Sequence, residues 1–310
     1  MSATPDWVEI VLGDNDPKTT WLSIFDNLKE VAMRTSKASS LDRATVVPDR
    51  LLAETAWNLW SEFPQYAPTV IDELKNFWVT NGPDGTAVLL LDALSLRQLP
   101  MLIKGASDRQ IVPTRIEASG IEIPTQTNTF AAALGISSRS KLFNNSPPGT
   151  FIFQDTYTDV LESPFPDCVS MIPPDMRVFV WHKWPDEPLV HMQKRKEDGP
   201  ELIEKETRSQ LTSDGFWELV NKLRQGRRLV ISSDHGYAVS KSFSSEMKDP
   251  DSIRLLRSTF GAERNAKEDP LHPWPSQHLP PLVCTHDGYV MVTGQRKWTV
   301  QGGFLSLIHI

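Results

Sequence analysis

Four residues set the chemistry this sequence can do: Asp92, Thr127, Asp234 and His235. The segment Leu229–Tyr237 reads LVISSDHGY, an apolar run leading directly into Asp234-His235-Gly236. Ligands gather at the carboxyl ends of strands in open α/β sheets, so a site is expected where this run stops. Adjacent Asp and His offer one hard oxygen and one imidazole nitrogen, a pairing suited to zinc or manganese. Gly236 permits the tight turn that aims both at one cavity. Asp92 ends a second apolar run, VLLLD, and a carboxylate there needs a partner or a metal to offset its desolvation. In IPTQTNTFAAALG, Thr127 stands where a small-residue helix begins, a location that favours a bound phosphate. A threonine beside a divalent ion can lose its proton and attack phosphorus. Each residue also has an ordinary local role: a turn after a strand, an N-cap at Asp92, a capping threonine.

The order of these elements, strand–Asp, then Pro-Thr-x-Thr, then strand–Ser-Asp-His-Gly, resembles the alkaline phosphatase superfamily, and within it the PglZ domain of BREX-type phage-defence proteins. The similar stretches are VLLLDALSLRQLP, IEIPTQTNTF, VFVWHKWPDE, LVISSDHGY and GQRKWTVQGGFLSLIH, spanning Ala87 to His309. The resemblance implies a metal held by Asp92, Asp234 and His235. Thr127, rather than Thr125, would be nucleophile or metal-bound hydroxyl, because it matches the second threonine of the turn. A second metal would draw on Asp186, His191 and His309. Asp186 and His191 stand five positions apart, where superfamily members commonly have four, and His182 at the end of RVFVW competes as a ligand. Two divalent ions are implied, zinc or alternatively manganese. They would support in-line displacement on a phosphodiester, with nucleic acid or a nucleotide as substrate and other defence proteins as partners. The rival reading is a non-catalytic scaffold within a multi-protein defence complex.

The elements that must position these groups can be read from hydrophobic pattern. Residues 1–82 read as a helical N-terminal segment, with apolar residues at helical spacing in Trp21–Met33, Leu51–Trp60 and Pro68–Val79. Residues 83–310 read as the phosphatase-like domain, ending just after His309, where the family pattern continues. Strands are expected at Thr86–Leu91, Arg115–Ile123, Arg177–Trp181 and Arg228–Ser232, with helices after Thr127 and over Phe216–Leu223. A late hairpin is expected from Tyr289–Thr293 and Lys297–Val300. Strands alternating with helices imply an α/β fold, three layers around a mainly parallel sheet; the resemblance makes it alkaline phosphatase-like. Gln193–Glu206 and Ser245–Pro280 read as exposed, as do His272, His278 and His286 in turn- and proline-rich sequence.

Composition narrows the class. Apolar residues make up 39% and charged residues 23%, as in globular proteins, and no run approaches the length of a membrane span. The amino terminus lacks a basic leader followed by an apolar stretch, so no secretion signal is read. Cys168 and Cys284 are too few for a disulfide framework and are read as reduced thiols in a cytoplasmic protein. A net charge of −7 argues against a sequence-independent nucleic-acid clamp, yet bound metals would supply local positive charge at a phosphate site. Arg97 and Lys141 follow the two motif turns and are the basic residues nearest to them.

Overall fold

The computed structural model describes residues 5–35, 37–54, 56–81, 85–122, 127–188, 199–239 and 299–301. Its centre is a four-stranded, all-parallel sheet in the order β2-β3-β1-β4: β1 Thr86–Asp92, β2 Tyr157–Leu161, β3 Arg177–Pro185 and β4 Arg228–Ser232. Every residue of β1 is buried, as an unbroken apolar run flanked by strands on both sides requires.

Alternation along the strands sorts the core into two layers. Ala87, Leu89 and Leu91 of β1, with Val178 and Val180 of β3, pack against helices on one face. Those helices are α2 (Pro17–Arg34), α7 (Leu99–Ser107) and α11 (Asp214–Leu223). Val88, Leu90, Phe179 and Trp181 point to the other face, towards α6 (Val70–Asn81) and α8 (Thr127–Ala133). The protein is therefore mixed α/β, its parallel sheet covered by helices on both sides.

Helix α2 shows why the amino-terminal region folds onto that sheet. Asp16 caps it by accepting from the Thr19 N–H at 3.1 Å, and Pro17 occupies the first turn, where no donor is needed. Trp21, Ile24, Phe25, Leu28 and Ala32 then fall on one stripe and are buried. Trp21 meets Phe25 in a stack at 5.8 Å and the edge of Phe63 at 4.8 Å. These side chains share one continuous core with β1. The helix expected over Leu51–Trp60 is instead the join of α4 (Val46–Glu54) and α5 (Trp57–Tyr66).

Two expectations about strands change. Residues 115–122 form no strand; they run as a loop whose Gly120 makes an isolated bridge to Thr69, its N–H donating to Pro68 O and its carbonyl accepting from Val70. The segment's alternation is a half-buried loop beside the start of α6. The unanticipated β2 takes the sheet edge beside β3 instead. Its Asp159 broke the apolar pattern, but that carboxylate is satisfied locally, accepting from the Asn144 and Val160 N–H groups at 3.1 and 2.9 Å. Gly199–Leu211 forms α10, burying Ile203, so the lysine- and glutamate-rich stretch is not wholly exposed. Of the late hairpin, only Thr299–Gln301 (β6) is described; it pairs antiparallel with Tyr237–Val239 (β5), while Tyr289–Thr293 lies outside the described residues. Among the described residues, no helix is long and apolar enough to cross a membrane.

Candidate metal centre

Parallel register brings the two strand-end carboxylates together. Leu90 of β1 pairs with Ser232 of β4, so Asp92 and Asp234 each lie two residues beyond the same rung. At Asp92 the pairing with β3 skips from His182 to Pro185, and Ala93 adopts the left-handed conformation at φ 64°. That turn presents the Ala93 N–H to Asp234 Oδ1 at 3.2 Å. Ser233 Oγ sits 2.9 Å from Leu91 O and 2.5 Å from His235 O, tying the two turns from the inside. Behind them, Arg97 donates to Tyr237 O at 2.7 Å and Gln98 donates to the Tyr237 hydroxyl. Arg97 is thereby buried against Tyr237 and is a structural clasp.

The result is a fully buried group of three ligand-bearing side chains, Asp92, Asp234 and His235, whose ligand atoms lie within 4.8 Å of one another. His235 Nδ1 is 2.9 Å from Gly236 O, and a carbonyl can only accept, so Nδ1 carries a proton. In the neutral ring Nε2 then offers its lone pair. It stands 3.2 Å from Asp92 Oδ1 and 3.5 Å from Asp234 Oδ2. Those two oxygens are buried and have no hydrogen-bond donor. Two buried carboxylate oxygens without a donor, facing one imidazole nitrogen, favour a positive charge between them, either a proton on Nε2 or a cation. The contrast with Asp159, whose oxygens are engaged by backbone N–H groups and the Tyr157 hydroxyl, separates a ligand-like carboxylate from a structural one. With one oxygen from each aspartate and one imidazole nitrogen, the group could hold a metal ion.

Thr127 opens α8 and is half-buried, its Oγ1 3.1 Å from His235 Nε2. The four residues singled out by pattern thus share one place. Arg139, which no sequence signal marked, joins them: its guanidinium pairs with Asp92 Oδ2 and lies 5.7 Å above the Trp181 ring. It opens a 3-10 helix, Arg139–Asn145, and only the fold brings that helix beside the sheet. Lys141, two residues on, is exposed.

Of the second set of ligands, only Asp186 lies among the described residues. Asp186 follows Pro185, the partner of Asp92, but is not one of the clustered ligands; His191 and His309 lie outside the described residues. His182 does not act as a ligand in their place. Its Nδ1 accepts from the Trp184 N–H at 3.0 Å and its Nε2 donates to Ser163 O at 3.0 Å, so both nitrogens are engaged. Burial pushes its pKa down to about 4, keeping it neutral. Cys168 is a free, buried thiol that burial pushes up to about 11, so it is no nucleophile.

No protein-family model matches the chain, and no curated protein matches it.

Proposed function

We propose that this protein is a metal-dependent phosphoesterase of the alkaline phosphatase type, related to PglZ domains. The observation that carries the reading is the buried triangle of Asp92 Oδ1, Asp234 Oδ2 and His235 Nε2, donorless at both oxygens, with a threonine hydroxyl 3.1 Å from the imidazole. A divalent ion there would acidify a bound hydroxyl and offset charge on phosphoryl oxygens. Asp92 and Asp234 would hold it, fixed by parallel register and by the Ala93 N–H. His235 is oriented for the same task by its Nδ1–H bond to Gly236 O. Thr127 Oγ1 is the attacking atom: it loses its proton to solvent, its P–O bond forms as the opposite P–O bond breaks, the departing oxygen takes a proton from solvent to leave as the alcohol, and water later releases the phosphoryl group. Asp186, His191 and His309 would hold a second ion, which would help to offset charge on the phosphoryl group. A phosphodiester of nucleic acid or nucleotide, in a phage-defence setting, is the substrate class that the PglZ resemblance favours, and the cytoplasm is the compartment.

One observation favours a second reading, a phosphatase-like scaffold without catalysis. Arg139 already neutralises Asp92, as a protein that dispenses with metal would require.

The test is elemental analysis of the purified protein, followed by turnover of bis-(p-nitrophenyl) phosphate with added zinc or manganese. Metal-dependent hydrolysis that disappears in Asp234→Ala and Thr127→Ala supports the enzyme. A folded protein that takes up no metal and turns over nothing leaves the scaffold.

A further inference from the structure

A second cavity, of about 600 Å³, lies at the end of β3, and the chemistry of the triangle does not use it. That volume suits a small organic molecule. Its walls are Phe165, Lys183 and Trp184, with Glu162 just past β2, Glu187, and Glu206 of α10. Phe165 and Trp184 are buried and meet edge to face at 5.3 Å, which makes one side aromatic. Lys183 pairs with Glu162, and Glu206 Oε1 accepts from Gln210 Nε2 at 3.0 Å. Both nitrogens of His182 are engaged by the backbone, so it adds no charge. Three carboxylates against one ammonium leave the lining with two negative charges in excess. Trp184 adds an unmet donor: it is 7% exposed, and its Nε1–H is buried without an acceptor. A buried donor left unpaired is costly, so a guest that brings it an acceptor gains affinity. Trp184 directly precedes Pro185, the register partner of Asp92, and paired strands lie about 4.8 Å apart. The cavity therefore shares the carboxyl end of the sheet with the buried triangle, on its β2–β3 side.

We infer that this cavity binds the base of a nucleotide and selects bases that carry an exocyclic amine. The amine donates to the carboxylates of Glu187 and Glu206, the flat ring lies against the aromatic wall, and a ring nitrogen accepts from Trp184 Nε1. Uracil and hypoxanthine present a carbonyl oxygen where cytosine and adenine present the amine. That oxygen would face a carboxylate with no proton between them. The excess negative charge also keeps phosphate out of this cavity and leaves it to the ring. The inference rests on the phosphoesterase reading for the phosphate that accompanies the base, and it adds which bases the substrate carries. A hydrogen bond from the amine to a charged acceptor corresponds to about tenfold or more in affinity.

The experiment is calorimetric titration of the metal-free protein with cytidine, uridine, adenosine and inosine. These nucleosides carry no phosphate and the titration holds no metal, so it reads the cavity alone. Cytidine and adenosine are expected to bind at least about tenfold more tightly than uridine and inosine. Replacing both carboxylates, Glu187→Gln with Glu206→Gln, is expected to narrow that preference to about twofold or less. Trp184→Phe removes the indole donor and is expected to weaken all four by about two- to tenfold. If that buried variant does not fold, the glutamine variants, at an exposed and a half-buried position, carry the test. With zinc or manganese added, KM for the p-nitrophenyl ester of cytidine monophosphate is expected to be at least about tenfold below that of the uridine ester. Equal binding of all four nucleosides, or a preference that survives the double glutamine variant, overturns the inference. Equal KM for the two esters overturns the place of the cavity in the substrate site. Failure of the phosphoesterase reading looks different: the nucleoside preference is present, yet neither ester is cleaved.

Discussion

Replacing Asp234 by asparagine should make the metal-free protein more stable while removing its response to metal. Asp234 is fully buried; its Oδ1 accepts from the Ala93 N–H, and its Oδ2 has no donor. Arg139 compensates Asp92 and leaves Asp234 with that single backbone bond. A buried, unsatisfied polar atom costs about 1–3 kcal/mol, and a charged one at least that much. Asparagine keeps the acceptor for Ala93, removes the charge and places an amide donor towards His235 Nε2 and Asp92 Oδ1. The expected gain is about 1–3 kcal/mol, or roughly 2–6 °C in melting temperature for a chain of this size. Metal acts in the opposite sense. At a free concentration about a hundred times Kd, a ligand that binds only the folded state adds about 2.7 kcal/mol. Wild type should therefore melt roughly 5 °C higher with Mn²⁺ or Zn²⁺. The variant, short of one anionic ligand, should bind at least about a hundredfold more weakly and show no such rise. Differential scanning calorimetry with and without metal reads both effects on the same two proteins. An Asp234→Asn variant that melts lower without metal, or that gains as much from metal as wild type, would falsify the assignment of these atoms as ligands.

Three further outcomes test the frame around the centre. His182 is held neutral, its pKa pushed down by burial to about 4 against an ordinary 6.5, so the unfolded chain binds the extra proton between those values. Stability from this residue is complete above pH 6.5 and is lost as pH falls towards 4, by about 3 kcal/mol; His182→Gln should flatten that slope in urea titrations across the range. Glu122 runs the other way: burial raises its carboxyl to about 7, so the folded state holds the extra proton and stability falls as pH rises from 4.5 through 7. Glu122→Gln should raise stability at pH 8 by up to about 3 kcal/mol and leave it unchanged at pH 4, and an equal effect at both would remove titration as the cause. Phe25→Ala should cost about 3–5 kcal/mol and lower the single unfolding transition of the whole protein, because Phe25 shares a core with β1. A separate early transition, with the sheet melting unchanged, would show the amino-terminal helices to be an independent unit.

Much of the centre could be read in sequence because its residues sit at ends of long apolar runs. Such runs have one stable home, a strand buried on both faces, and the residues just past them must emerge at the strand's carboxyl end. That reasoning located β1, β3 and β4, and it marked Asp92, Asp234 and His235. It failed where burial is partial. Residues 115–122 alternate like a strand but run as a loop beside the start of α6, and β2 contains a buried aspartate whose partners are the Asn144 and Val160 N–H groups and the Tyr157 hydroxyl. His182 stands at a strand end as a ligand would, yet the backbone of Trp184 and Ser163 claims both its nitrogens, which no spacing reveals.

The sequence by itself determined the cores of β1, β3 and β4, the apolar stripe of α2 and the identity of the strand-end groups, since these depend on local pattern and short-range hydrogen bonding. Tertiary structure alone decided that Leu90 and Ser232 share a rung, which places Asp92 beside Asp234 across some 140 residues of chain. It also decided that Arg139 lies on Trp181 against Asp92. Charge in a buried site is balanced by whatever the packing brings within reach, and that is a property of distances between segments, which local pattern does not encode.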